Sequence, residues 1–119
     1  MPPTRQPSYK LPLQPTVFLI LLALADADAH GYRLRQTIVA KSQGTVKLDP
    51  GSLYRLIAKL FDDGLVAESA APPDADDQDD RRKYYTLTRR GRAVLAAETD
   101  RMAHLVAASR AVADRPRHA

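Results

Sequence analysis

Asp49-Pro50-Gly51-Ser52-Leu53-Tyr54-Arg55-Leu56-Ile57-Ala58-Lys59-Leu60-Phe61-Asp62-Asp63-Gly64 carries its own start and stop signals. Aspartate is a preferred N-cap, and proline suits the first helical turn, where its missing N–H is no loss. Glycine is the usual residue just past a helix C-terminus. Between these signals Leu53, Leu56, Ile57, Leu60 and Phe61 fall at i, i+3, i+4, i+7 and i+8. That spacing predicts one apolar stripe packed on neighbouring helices. Ser52, Tyr54, Arg55, Ala58, Lys59 and Asp62 take the opposite face. A polar face alone is ordinary on a surface helix, so its meaning depends on what flanks it.

Upstream, Thr45 to Leu48 reads as a brief strand, and Gln43-Gly44 ends a preceding helix. That helix opens at His30-Gly31-Tyr32, with Tyr32, Leu34 or Arg35, Ile38 and Val39 at helical spacing. His30 reads as its N-cap or as a packing residue. Ala25 to Ala29, alternating Ala and Asp, reads as a connector. Before it, from Gln14, the residues Val17, Phe18, Ile20, Leu21, Leu22 and Leu24 crowd a first helix. A helix apolar nearly all round is buried on more than one side. In a small chain a partner subunit would explain that, with Phe18, Leu21 and Leu22 as contacts. Residues 1–12, with Pro2, Pro3, Pro7 and Pro12, read as a flexible arm.

Downstream, Leu65 to Ser69 is a plausible strand, followed by an irregular stretch too rich in Pro and Asp for a sheet interior. Arg81 to Leu87 returns as a strand. Thr88 caps a fourth helix over residues 89–113, and residues 114–119 read as a frayed tail. Helices followed by a hairpin make the winged helix-turn-helix layout. The expected fold is mainly α with a small β-hairpin: a winged domain over residues 13–88 plus a long C-terminal dimerisation helix.

In that layout the helix from Pro50 enters a DNA major groove, which admits one α-helix and is read near that helix's N-terminal end. Ser52, Tyr54 and Arg55 stand there. Arg55 can fork onto a guanine edge or hold a phosphate, and Lys59, one turn later, suits a phosphate. Free backbone N–H groups at the helix start also favour phosphate. Arg81, Arg82 and Lys83 at the wing would follow the backbone or enter a minor groove. The five aspartates before them, Asp74, Asp76, Asp77, Asp79 and Asp80, repel phosphate, so the loop apex must point away or fold back on the arginines. These aspartates lack the calcium-loop order of Asp/Asn, Gly and closing Glu.

Along the last helix Leu95, Met102, Leu105, Val106 and Val112 form a sparse stripe near the 3.5-residue spacing of a coiled seam, interrupted by Glu98 and Ser109. A helix of this length spans roughly 37 Å, more than a small winged domain covers, so a two-fold dimer through the first and last helices is expected. Asp100 and His104 share a face four residues apart, a spacing read here as a local contact and not as a zinc site.

Composition agrees. The 119 residues carry a formal charge of +4, a mild bias toward nucleic acid, and no cysteine, which rules out disulfides and thiolate metal sites. The longest apolar run, Val17 to Ala25, is far short of the ~20 residues that cross a bilayer, and the start lacks a secretory pattern. A cytoplasmic protein without cofactor is expected. An enzyme is not, since there is no Gly-rich phosphate loop and no nucleophile beside a base. The rival reading is a winged-helix module that binds protein and has no operator of its own.

Three segments in order carry a family likeness: His30-Gly31-Tyr32; Pro50-Gly51-Ser52-Leu53-Tyr54 with Leu60 and Gly64-Leu65-Val66; and Arg81-Arg82-Lys83-Tyr84-Tyr85-Thr86-Leu87-Thr88 with Gly91. Over residues 13–113 the chain resembles the PadR family of bacterial transcriptional regulators, in its compact branch with a single C-terminal helix. The resemblance implies a repressor that binds a double-stranded operator as a homodimer, with Tyr32, Ser52, Tyr54 and Arg55 approaching DNA. For part of the family it also implies release by a small hydrophobic or aromatic effector.

Overall fold

A computed structural model describes residues 9–72 and 83–116. The elements are α1 (Pro15–Asp26), β1 (Ala29–His30), α2 (Gly31–Lys41), α3 (Pro50–Asp62), β2 (Val66–Ser69), β3 (Tyr84–Leu87) and α4 (Arg89–Ala113). The four helices and the small antiparallel sheet form a winged-helix fold.

The core gathers around α1, which packs on α2, α4 and β3. Val17, Ile20, Leu21 and Leu24, at i, i+3, i+4 and i+7, face inward. They meet Leu34 and Ile38 of α2, Leu53, Ile57 and Leu60 of α3, and Val94 of α4. Leu21 is fully buried in its own chain, at 0% exposure. That corrects its expected place at a subunit interface, because it has no surface left to offer. Phe18 and Leu22 lie on the half-buried flank of α1.

In α3 the capping signals act as written: the Asp49 carboxylate accepts the Ser52 amide at 2.6 Å. The apolar stripe is narrower than its spacing suggests, since Phe61 is 47% exposed. At about 100° per residue Phe61 stands about 80° round from Leu53, at the edge of the stripe.

Sheet pairing departs from expectation at one strand. The order is β1-β3-β2, with Ala29 opposite Tyr85 and His30 opposite Tyr84 on one side of β3. Val66 to Ser69 pair with Leu87 to Tyr84 on the other. The strand expected at Thr45 to Leu48 is not formed. Its first residues bond back to Ser42 instead: the Thr45 amide donates to the Ser42 carbonyl, and the Val46 amide to the Ser42 hydroxyl. The third strand comes from the segment read as a connector.

Part of the expected flexible arm lies on the body. The Tyr9 hydroxyl donates to Asp63 at 3.0 Å, and Tyr9 and Leu11 pack against the core. The Leu13 amide donates to Glu98 Oε2 at 2.8 Å. Glu98, read as a break in the α4 stripe, is 1% exposed and is paired with Arg101 through both carboxylate oxygens. It clamps the N-terminal segment to α4. At the start of α4 the Thr88 hydroxyl accepts the Gly91 amide and donates to the Gly64 carbonyl, which joins α4 to the end of α3. From Ala103 to Pro116 every residue is exposed.

Candidate nucleic-acid interface

The site is assembled where the N-terminal turns of α2 and α3 meet the base of the β2–β3 hairpin. His30 caps α2, its Nδ1 accepting the Arg33 amide at 3.1 Å. Its ring stacks near Tyr32, centroids 6.5 Å apart, and meets Tyr84 edge-on at 5.2 Å. Tyr32 therefore leaves the first turn of α2 from a braced position, 54% exposed. Gly31 lets Tyr54 approach: any Cβ at position 31 would collide with the hydroxyl end of the Tyr54 ring. Tyr32 and Tyr54 thus share one cleft of about 330 Å³ with Lys83 and Tyr85. Tyr54 stays 49% exposed.

One turn of α3 lies beside this cleft. Arg55 is exposed, and its Nη2 donates to the Ser52 hydroxyl at 3.0 Å, so the two residues form one polar unit. Hydrogen bonds from Ser52 hold the Asp49 carboxyl below its ordinary range, and the nearby Arg55 and Arg35 guanidinium groups add to the effect. The expected supply of free amides at this helix start is mostly consumed. Pro50 has none, Ser52 donates to Asp49, and Leu53 donates to the Asp49 carbonyl, which leaves the Gly51 amide. Any anion here must be held by side chains more than by the helix end.

Arg35 was not singled out for this role. Its Nε donates to the Leu48 carbonyl at 3.2 Å and fixes the path by which the chain enters α3. Helical spacing in α2 left Leu34 and Arg35 as alternatives for the inward face; Leu34 is fully buried and Arg35 is half-buried beside it.

The remaining site residues divide. Lys59 sits 3.2 Å from Asp63, which also accepts the Tyr9 hydroxyl. The Asp63 bond raises the Lys59 pKa, and Asp63 is lowered in return. Burial is the main cause of the raised Tyr9 pKa. Lys59 thus belongs to a network at the far end of α3. Lys83 is exposed and lies 4.0 Å from Glu68 across the hairpin. Arg81, Arg82 and the aspartates from Asp74 to Asp80 fall outside the described residues. On α4, Leu95 packs against the core and Met102 is half-buried, whereas Leu105, Val106 and Val112 are 53%, 48% and 60% exposed. Asp100 and His104 are exposed, and no group of three or more metal-ligating side chains occurs among the described residues.

A braced aromatic pair, an arginine on the first turns of a helix and a lysine on a hairpin make a mixed stacking and cationic surface. The profile of the family described as "Transcriptional regulator PadR-like family" matches residues 20–97, which takes in most of α1, the whole sheet and α3. The chain belongs to the PadR-like family of transcriptional regulators. Two solved structures show the same PadR fold. A PadR family transcription regulator from Clostridium difficile R20291 is 19% identical, with a TM-score of 0.68 over 83% of this chain and 98% of its own. A PadR-like transcriptional regulator from Bacillus cereus is also 19% identical, with a TM-score of 0.68 over 84% of this chain and 92% of its own. An uncharacterised 37.1 kDa protein of transposon TN4556 from Streptomyces fradiae is 36% identical over 87 residues, 73% of this chain. The chain spans only 23% of that relative's length. Among the described residues of this PadR-like chain, no helix is long and apolar enough to cross a membrane.

Proposed function

We propose that this PadR-like regulator reads double-stranded DNA with α3, acting in the cytoplasm as a homodimeric repressor on an inverted-repeat operator. The observation that carries the reading is the outer strip of α3, where Arg55 is exposed and the half-exposed Tyr54 shares a cleft with Tyr32 and Lys83. Ser52 already holds the Arg55 guanidinium by one nitrogen, which orients its remaining donors for a guanine edge or a phosphate. Tyr32 and Tyr54 supply apolar contact for base methyls or sugars. Lys83, with Arg81 and Arg82, serves the wing side.

The dimer reading rests on α4, whose distal part leaves Leu105, Val106 and Val112 about half exposed or more. Two copies joined there, with the outer flank of α1 at Phe18 and Leu22, would bury this surface. A dimer with both α3 helices on one face of a duplex covers its operator against other proteins, which is the physical basis for repression.

A gel-shift titration against the DNA upstream of the chain's own coding region, at several salt concentrations, tests the reading. Arg55→Ala should weaken binding and, if the contact is to phosphate, lower the salt slope by about one unit. Unchanged affinity and slope would remove α3 as the reading element. Complete absence of DNA binding would favour the protein-binding module.

A further inference from the structure

We propose that the groove between α3 and the β2–β3 hairpin is a docking surface for the chain's own residues 1–8, a proline-rich arm whose Arg5 pairs with Asp62 and Glu68. The docking stands apart from the regulator reading above; only its consequence for DNA rests on that reading. The groove holds about 200 Å³ and is lined by Tyr54, Ala58 and Phe61 of α3 and by Glu68, Lys83 and Tyr85 of the hairpin. Phe61 and Tyr54 are both half-exposed. Two carboxylates border these rings. Asp62 is exposed and in no ion pair within 4.0 Å among the described residues, and Glu68 is exposed at 4.0 Å from Lys83. Two acids against one lysine leave a surplus of negative charge over an aromatic floor.

That combination selects the occupant. Met1-Pro2-Pro3-Thr4-Arg5-Gln6-Pro7-Ser8 carries three prolines, one arginine and no side-chain carboxylate. Proline-rich segments dock on aromatic-lined grooves at low entropic cost, because proline already restricts the backbone. A guanidinium pairs with carboxylates and stacks on aromatic faces.

The path is set by two anchors downstream of the arm. The Leu13 amide is held by Glu98 of α4, and the Tyr9 hydroxyl by Asp63, just past the end of α3. Followed back from Leu13 to Tyr9, the chain runs from the body of α4 to the end of α3, where Asp62 is the next residue and lies about 100° round the helix. An extended proline-rich chain rises about 3.1 Å per residue. Arg5, four residues before Tyr9, therefore reaches about 12 Å, enough to cross a helix whose diameter with side chains is about 10–12 Å. Pro2 and Pro3 extend about 6–9 Å further, over Phe61 and toward Tyr54. Docked in this way, Arg5 offsets two carboxylates near the outer strip of α3, and a DNA backbone there meets less repulsion.

The chain has no cysteine, so Thr4→Cys gives a unique attachment point for a nitroxide label on the full, isotope-labelled protein. In NMR spectra the label should broaden the amides of Phe61, Asp62 and Glu68 most strongly. Asp62→Lys with Glu68→Lys, both on exposed side chains, should at least halve that broadening while the helical spectrum stays unaltered, and adding Arg5→Glu should restore it. Broadening centred elsewhere, spread evenly over the surface, or unchanged in the charge-reversed variant would each overturn the docking. A mixed sample joins nitroxide-bearing chains without isotope to isotope-labelled chains without nitroxide. Equal broadening of the groove amides in that sample would assign the groove to the arm of a second copy and overturn docking within one chain. Arg5→Ala should also weaken operator binding in the parent but not in the Asp62→Asn, Glu68→Gln background, where no carboxylate remains to be covered. Equal loss in both backgrounds would mean that Arg5 touches DNA itself, and would overturn the consequence for DNA alone. A chain with the expected broadening that binds no DNA at all would refute the regulator reading and leave the docking standing.

Discussion

Gly31 and Gly91 both lie in the first turns of helices, yet adding one methyl group to each should have opposite consequences. At Gly91 the new Cβ would meet the Leu65 carbonyl and the Leu87 side chain, both fixed in the core. Gly91→Ala should therefore cost about 1–3 kcal/mol in urea unfolding, the usual range for overpacking. At Gly31 the obstacle is the Tyr54 ring, which is half-exposed and free to swing outward. Gly31→Ala should leave the unfolding midpoint nearly unchanged and lower operator affinity, because Tyr54 loses its seat beside Tyr32. Equal affinity for parent and variant would mean that Tyr54 placement is irrelevant to binding. Asp49 gives a pH signature. Its folded pKa lies below the ordinary 3.8, so its contribution to stability is complete above that value and is lost as pH falls through the lower folded one. Asp49→Asn keeps an acceptor for Ser52 without the charge. The melting-temperature gap between parent and Asp49→Asn should hold from pH 7 to about 5 and begin to narrow only below about pH 4, closing as pH falls through the lower folded value.

At the scale of the element, α3 and α4 were legible to different degrees. Asp49, Pro50 and Gly64 delimit α3 by chemistry within the segment itself, so its ends are readable without knowing the fold. In α4 the Thr88 cap was equally readable, but Glu98 was not. A glutamate on a sparse apolar stripe looks like a solvated break, and only the arrival of the Leu13 amide and Arg101 makes its burial tolerable. Arg101 bonding lowers the Glu98 pKa in spite of burial, so this clamp too is complete above the ordinary 4.5 and weakens as pH falls through the lower folded value. Glu98→Ala strands the buried Leu13 amide and should cost about 1–3 kcal/mol by chemical denaturation. The exposed end of α4 belongs to the proposed seam. Leu105→Asp should yield monomers by light scattering with an unaltered helical spectrum, and an intact dimer would place the seam elsewhere. The two-residue β1 had no readable signal, since it exists only because β3 offers it an edge.

For the whole molecule, the proposed dimer has a geometric consequence. Two α3 strips that read one face of a duplex must stand about 34–36 Å apart, one helical turn, or a multiple of it. DNase footprinting should then show two protected half-sites related by a dyad, and shifting one half-site by about 5 base pairs should cost most of the affinity, because it turns that half-site to the opposite face. Tolerance of that shift would mean that the two copies bind independently.

The chain's own text determined the helices, the caps, the hairpin and the family, because each depends on residues near one another: spacing on a helix face, an aspartate before a proline, a glycine after a stripe. The tertiary structure alone decided that Leu21 points inward, that Phe61 remains at the surface, that Tyr9 latches to Asp63, and that a cationic cavity lies beneath that latch. These outcomes depend on contacts between segments tens of residues apart, and burial there is settled by which surfaces meet in three dimensions, a quantity that local spacing does not encode.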